Sequence, residues 1–377
     1  MKSIGELLRE RREAFGADRR EAARWCGEAP DWLEDKETRS DLSALDFERI
    51  CRGLAISPAA LLHGESDTPT RSVTRFRSAL EGHDVLTSND LGLLATASEI
   101  GMALAEVMAA QGKPLPFGQY RNLRAPSTNL PPREEGYELG EAARALLIPH
   151  EGPAVELERA LAELGVHVAR VRFSTSEIEA ASIREYGAVP VILLNTGATK
   201  VAYKLSRRAC LAHEMCHLLH DGGKADIATR VTCPICSNLQ DAIEKRARGF
   251  APAFLAPRKQ VHEWAQTVNL PTEPPHLVYE LASYWGLSFE GAIWHAKNCR
   301  LIESEIAFDL AEMNIQPAMD MERFETEPVC PRSLTAYPEL QENLSPLMEG
   351  FAAKMVIEAF EESAISFGRA KELLSWG

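Results

Sequence analysis

The alternation of apolar and polar positions predicts a helical beginning for the chain. Over residues 1–64, apolar side chains recur three or four positions apart in short stretches, separated by polar or glycine-containing turns. This spacing is typical of amphipathic helices that bury one face. We predict five short helices in one bundle: Ile4–Phe15, Arg19–Trp25, Pro30–Glu37, Ala44–Leu54, and a fifth from Ser57 through Leu62.

After residue 64 the helical pattern extends over a longer stretch, and from about residue 136 helical and strand patterns both occur. A polar stretch at 64–72 and a segment rich in Pro, Asn and Gly at 112–136 enclose a long helical pattern, so we expect a helical linker region over 65–135. The next predicted elements are the helices Tyr137–Leu147 and Val155–Leu164 and the strands Val166–Phe173 and Val189–Leu194. We therefore predict an α+β domain over 136–302 and a helical tail over 303–377.

An apolar helical stretch at 204–221 carries the strongest chemical signal. It contains the pattern H-E-x-x-H, from His213 to His217, and neither Pro nor Gly interrupts it. Four residues turn the helix by about 400°, so His213 and His217 lie on one face. Two neutral imidazoles at this spacing can bind one zinc ion, and Glu214 is placed to take a proton from a water molecule beside it. The pattern predicts a zinc site.

A catalytic zinc ion needs a third protein ligand and an open fourth position. After the zinc helix the sequence predicts a polar loop, Gly222–Ser237, and then a second helix, Asn238–Leu255. The acidic residues of this helix are Asp241 and Glu244, one turn apart. The spacing alone leaves both as candidates.

Three further residues have metal-binding chemistry. His220 shares the face of His213, and we interpret it as a packed or supporting histidine rather than a ligand. Cys233 and Cys236 form a knuckle-like pair, but a closed structural zinc site needs four ligands. We interpret these two cysteines as idle or structural thiols, with a redox switch as the alternative.

Composition and charge narrow the class of protein. The net charge of −14 argues against a protein whose main task is to neutralise phosphates. Met1–Arg12 has no apolar run of the kind that signal peptides contain, and the eight cysteines are scattered, so we expect reduced thiols in the cytoplasm. Leu91–Ala110 is the most membrane-like stretch, but it contains Glu99 and Glu106. We predict a buried or amphipathic helix there and no membrane partner.

The layout of residues 1–64 resembles the phage-repressor-like (XRE-type) helix-turn-helix domain, whose third helix enters the major groove of DNA. In this chain the third helix and its surroundings are acidic. They carry Glu28, Asp31, Glu34, Asp35 and Glu37 against only Lys36 and Arg39. We therefore expect weak DNA binding at most, and a domain used for protein contacts is the alternative.

Three segments of the middle domain are similar to the ImmA/IrrE family of metallopeptidases. They are Val191–Asn195, the run from Leu211 to His220, and the helix in which Glu244 precedes Ala247, Phe250 and Ala251. The resemblance implies that Glu244 is the third zinc ligand. It also implies a mostly helical zincin-like fold, in which a small sheet lies against the zinc helix and helices follow.

The same resemblance implies an intracellular zinc endopeptidase that cleaves a helix-turn-helix repressor to switch on stress, mobile-element or defence genes. Two alternatives remain: a transcriptional regulator that uses the zincin domain as a sensor, and a toxin–antitoxin or phage-defence component. Val189–Asn195 is a candidate edge strand for an extended substrate. Tyr203, Tyr279 and His295 are candidates for stabilising an oxyanion.

Overall fold

A four-stranded sheet in the middle of the chain separates two hydrophobic cores. The structure is a computed structural model. It describes residues 3–14, 18–38, 42–54, 87–120, 129–154, 156–185, 187–221, 227–232, 242–268, 273–313, 315, 317–321, 332–342 and 344–376.

The helices before the sheet agree closely with the sequence pattern. They are α1 Ile4–Ala14, α2 Arg19–Trp25, α3 Pro30–Thr38, α4 Ala44–Gly53, α5 Ser88–Ala110, α6 Pro132–Leu147 and α7 Leu157–Glu163. The first four coincide with predicted helices. The predicted fifth helix, 57–62, lies outside the described residues.

The middle of the chain supplies the strands and the two helices that matter most for the site. In chain order these are β1 His167–Val171, β2 Ala180–Glu185, β3 Val191–Asn195, α8 Lys204–His220, β4 Ile227–Thr232 and α9 Ala242–Leu255. The remaining helices are α10 Arg258–Thr267, α11 Pro274–Trp285, α12 Phe289–Asn298, α13 Ser304–Glu312, α14 Pro338–Gln341, α15 Phe351–Glu361 and α16 Phe367–Leu374.

The strand order is β1-β3-β2-β4, with β3 parallel to β1 and antiparallel to β2. Both sides of β3 are therefore hydrogen-bonded to neighbours, and the interpretation of Val189–Asn195 as an edge strand is wrong. Strand β4 pairs with β2 and lies within the predicted loop Gly222–Ser237, so that prediction is also wrong in its middle. The sheet edges among the described strands are β1 and β4.

Strand β3 is buried along its whole length and contributes side chains to both cores. Successive side chains of a strand point to opposite faces of the sheet. Val191 and Leu193 accordingly join the first core, with α5 and the helices after residue 332, whereas Ile192 and Leu194 join the second core, with α8 and α9. The continuous β-branched and leucine run is what a strand covered on both faces requires.

Helix α5 contains the most apolar stretch of the chain. Gly92–Ala110 is long and apolar enough to cross a membrane by length and composition, and 53% of its apolar window is buried inside the protein. The Val189 amide donates a hydrogen bond to the Gly101 carbonyl at 2.9 Å. A Cβ at position 101 would lie 2.5 Å from the Val189 carbonyl oxygen, so glycine allows α5 to approach the strand region this closely.

Ion pairs engage the basic side chains around α3. The Glu37 carboxylate is buried and accepts hydrogen bonds from Arg12 at 2.5 Å and from Arg19 at 3.0 Å. Lys36 pairs with Asp46 at 2.9 Å. Glu37 therefore belongs to the interior, and the surface charge of this region comes from the other carboxylates that the sequence places there.

Helices α6 and α9 pack unusually close because glycines lie at their contact. A Cβ at Gly140 would lie 2.5 Å from the Phe250 carbonyl oxygen and 3.0 Å from the Ala253 Cβ. Real Cβ atoms almost never approach backbone so closely. The position of α9, and of Glu244 on it, thus depends on the absence of a side chain at position 140.

The Gly140→Ala substitution should force α6 and α9 apart. We expect a loss of roughly 1–3 kcal/mol in the free energy of unfolding, as for other overpacked helix contacts, and a lower metal affinity because α9 carries Glu244. Thermal unfolding and a zinc titration measure the two effects. Gly368→Ala, whose Cβ would meet only the Ser366 hydroxyl at 3.9 Å, is the matched control and should be neutral. Equal stability of the two variants would contradict the close-packing argument.

Candidate metal centre

Helix α8 presents the two histidines of the H-E-x-x-H pattern side by side. The opposite side of the helix is held in the second core by Leu211, Met215 and Leu218. The Nε2 atoms of His213 and His217 lie 3.0 Å apart, and both side chains are buried. The helical spacing therefore produces the convergence that the sequence predicts.

Glu244 reaches the same point from the first turn of α9. Its Oε2 lies 3.2 Å from the His213 Nε2, and its Oε1 lies 3.4 Å from the His217 Nε2. Ligand atoms of a tetrahedral zinc ion bound at about 2.0–2.1 Å are separated by about 3.3 Å. The three observed separations match this value, so the donor set fits a zinc ion. The three residues form a buried cluster that is suited to hold a metal ion.

A second carboxylate fixes the orientation of His217. The His217 Nδ1 lies 2.5 Å from the Asp221 Oδ2. The other Asp221 oxygen accepts a hydrogen bond from Arg246 and forms an ion pair with it. A histidine whose remote nitrogen donates to a carboxylate keeps its other nitrogen available to a metal. Neither Asp221 nor Arg246 was predicted from the sequence to belong to the site. The available signal was the i+4 spacing of Asp221 from His217.

The charges of the cluster depend on one another. Burial disfavours the charged form of His217, but hydrogen bonds to Asp221 and Glu244 outweigh it and raise the pKa of His217 to about 10. Burial likewise opposes ionisation of Glu244, and hydrogen bonds from His213 and His217 outweigh it, so the pKa of Glu244 is strongly lowered. In the absence of a metal ion, a proton on His217 compensates the buried carboxylates.

The cluster opens onto a cleft of about 530 Å³. His213 and Glu244 line this cleft, together with Tyr137, Trp294 and other side chains of α6, α9 and α12. Glu214 directly follows His213 in the chain and is completely buried. Its charge contributes to the raised pKa of His217. An extended ligand in the cleft would therefore lie against two of the three candidate metal ligands.

The remaining predicted site residues lie in different surroundings. His220 packs edge-to-face on Phe250, with ring centroids 5.8 Å apart. His295 is buried at the cleft, where its Nδ1 lies 3.0 Å from the Tyr137 hydroxyl and its Nε2 donates to the Ala256 carbonyl at 2.8 Å. Tyr279 is 44% exposed, and Tyr203 immediately precedes α8. Cys233, Cys236 and Asp241 lie outside the described residues.

A small sheet beside a helix that carries H-E-x-x-H, with a carboxylate from a following helix as the third ligand, is characteristic of metallopeptidases. Residues 161–293 match the peptidase family whose model is described as the IrrE N-terminal-like domain. This match runs from α7 into α12, covers roughly a third of the chain, and supports the resemblance to the ImmA/IrrE family. No curated protein and no solved structure matches the chain. The family match indicates a metallopeptidase-like activity for this part of the protein.

Proposed function

We propose that this protein is a cytoplasmic zinc-dependent endopeptidase. His213, His217 and Glu244 hold the zinc ion, and Glu214 is the general base. The observation that carries the proposal is the buried convergence of these three ligands, two of which, His213 and Glu244, line the 530 Å³ cleft. When bound, zinc supplies a Lewis acid that polarises the scissile carbonyl and lowers the pKa of water. Glu214 takes a proton from the attacking water and returns it to the leaving nitrogen.

The proposed substrate is a helix-turn-helix repressor, recognised in part by the first 64 residues. Support comes from the resemblance to the ImmA/IrrE family and from the exposed acidic side chains Asp31 and Glu34 on α3. Such a surface suits the basic DNA-reading face of a repressor. Electrostatic attraction of this kind raises the association rate more than the affinity, and it fades as salt increases.

We further propose that residues 1–64 bind DNA weakly. Arg12, Arg19 and Lys36 are engaged with carboxylates, and a phosphate would have to compete with these ion pairs. A gel shift of the full-length protein at physiological salt tests this. Sequence-selective binding in the nanomolar range would refute it.

The Glu214→Gln variant tests the proposed activity. We expect it to keep one zinc ion per chain, to trap the substrate, and to lose cleavage by a factor of about 10²–10⁴. Partners trapped by the full-length variant are identified by mass spectrometry and then incubated with the unmodified protein. Glu290→Gln, an exposed carboxylate at the same cleft, is the matched control and should cleave normally.

Two results would contradict different parts of this proposal. Undiminished cleavage by Glu214→Gln would exclude it as the general base. If no DNA-binding protein is trapped, the substrate class is wrong. For the docking role, Asp31→Lys combined with Glu34→Lys should slow cleavage at low salt, and Glu312→Lys should not.

A further inference from the structure

A second and larger cavity, of about 830 Å³, lies on the other side of helix α8 from the metal centre. The cavity is open to solvent on one side and is lined by residues of α7, β1, the first half of α8 and α15. Its walls are mainly apolar and include Leu157, Val166, Val168, Leu211, Phe351 and Met355. Its volume is in the range of small-molecule sites, roughly 300–1,000 Å³.

The geometry of α8 separates this cavity from the metal centre. Each residue turns a helix by about 100°, so Lys204, Arg207 and Leu211 lie about 120–180° around the axis from His213. All three line the second cavity, whereas His213 lines the first cleft. The two spaces therefore share one helix but no ligand residue.

Positive charge is concentrated in the wall of this cavity. Six of its lining residues are basic and four are acidic, in a chain whose net charge is −14. Arg207 is only 5% exposed. It shares the carboxylate of Glu158 with Arg170, at 3.5 Å and 2.6 Å respectively. The guanidinium groups of Arg207 and Arg170 and the carboxylate of Glu158 thus form a polar region in the wall of this cavity.

Burial disfavours the charged form of these arginine side chains, and a ligand carboxylate close to them would favour it. Burial lowers the pKa of Arg207 to about 10, and the effects of Glu158 and Arg170 oppose each other. The charges at the rim are engaged locally: Arg159 with Glu163 at 3.1 Å, and Lys354 with Glu358 at 3.8 Å. An anion would therefore be favoured at Arg207 and Arg170 rather than at the rim.

We propose that this cavity binds an amphiphilic organic anion. Its apolar body packs on the aliphatic and aromatic wall, and its single carboxylate or equivalent head group accepts hydrogen bonds from Arg207 and Arg170. The occupant lies against the half of α8 that precedes His213. This binding site is independent of the proposed peptidase activity.

Decanoate is the probe that tests the proposal. Calorimetric titration of the full-length protein should give saturable binding with one site per chain. Decanol, which has the same apolar body without a charge, should bind at least tenfold more weakly, and inorganic phosphate should not bind. Equal binding of decanol and decanoate would overturn the assignment of an anion site.

Substitutions locate the site. Arg207→Met should weaken decanoate binding at least tenfold, and Ala162→Phe, which narrows the cavity from its partly exposed edge, should do the same without removing a buried charge. Arg159→Met at the exposed rim is the matched control and should bind normally. If decanoate binds the Ala162→Phe variant as tightly as the unmodified protein, it occupies another site, the metal centre included, and the proposal is wrong.

Discussion

Replacing Glu244 by Ala is expected to lower the zinc affinity of the full-length protein at least about a hundredfold. Four-ligand zinc sites bind with roughly 10–16 kcal/mol, or about 3 kcal/mol for each ligand, which corresponds to a factor of about 100 in affinity. Glu244 supplies the only carboxylate of the three-residue cluster, and its two oxygens lie within 3.2 Å and 3.4 Å of the histidine nitrogens. A competition titration with a chromophoric chelator measures the change.

Asp221, which contacts the ligand His217 without binding the metal itself, should also affect the zinc affinity. Asp221→Asn should lower zinc affinity by about 10–100-fold, because the variant keeps the volume of the side chain but loses the carboxylate that orients His217. Zinc binds the neutral imidazole, whereas the pKa of His217 is raised to about 10 without metal. At pH 7 zinc binding should therefore release about one proton, and affinity should fall as the pH is lowered.

Calorimetry in two buffers of different ionisation enthalpy counts the released protons. Glu290→Gln, at the exposed edge of the cleft, is the matched control and should bind zinc like the unmodified protein. If Glu244→Ala retains full zinc affinity, Glu244 is not a ligand and Asp241 becomes the candidate.

The local parts of the site were predictable from the sequence because they depend on helical periodicity. His213 and His217 lie on one face wherever residues 204–220 are helical, and the structure brings their Nε2 atoms together. Glu244 is different, since nothing in the spacing distinguishes it from Asp241; the family resemblance pointed to it. Asp221 was missed because an aspartate after a helix is ordinarily interpreted as a turn residue.

The sheet was predicted only in part, because strand pairing is not local. Strand β3 has a clear apolar run, but its neighbours β1 and β2 come from separate segments, and only their pairing shows that β3 is central. Strand β2, with the sequence AASIRE, lacks a regular apolar alternation. Strand β4 lies in a polar stretch, and its pairing with β2 determines its conformation.

Acidification from pH 7 to pH 5 is expected to destabilise the metal-free protein by about 2 kcal/mol for each of two buried histidines. His167 is completely buried, and its Nε2 donates to the Leu347 carbonyl at 2.7 Å. Burial lowers its pKa from 6.5 to about 4. His295 is equally buried beside the cleft, and burial lowers its pKa to about 4 as well. Both rings are therefore neutral in the folded protein at pH 5.

The direction of the effect follows from proton uptake. Between pH 6.5 and pH 4 the unfolded chain binds a proton at each of these histidines and the folded protein does not, so stability falls as the pH falls. His217 acts in the opposite direction between pH 7 and about pH 5.5: its raised pKa keeps it protonated in the folded state while the unfolded chain still takes up a proton, so its contribution to stability rises as the pH falls and offsets part of the loss. The lowered pKa of Glu244 acts below about pH 4.5, outside this window.

Urea unfolding of the chelator-treated protein at pH 7 and pH 5 measures the loss. His167→Gln should be less stable than the unmodified protein at pH 7, because it disturbs a packed and hydrogen-bonded side chain. It should nevertheless lose about 2 kcal/mol less between the two pH values, since one titrating group has been removed. His276→Gln, at an exposed position, is the control and should keep the full pH dependence. An unchanged pH dependence in His167→Gln would show that the acid sensitivity arises elsewhere, because removing a buried neutral histidine must remove its share of the proton uptake on unfolding.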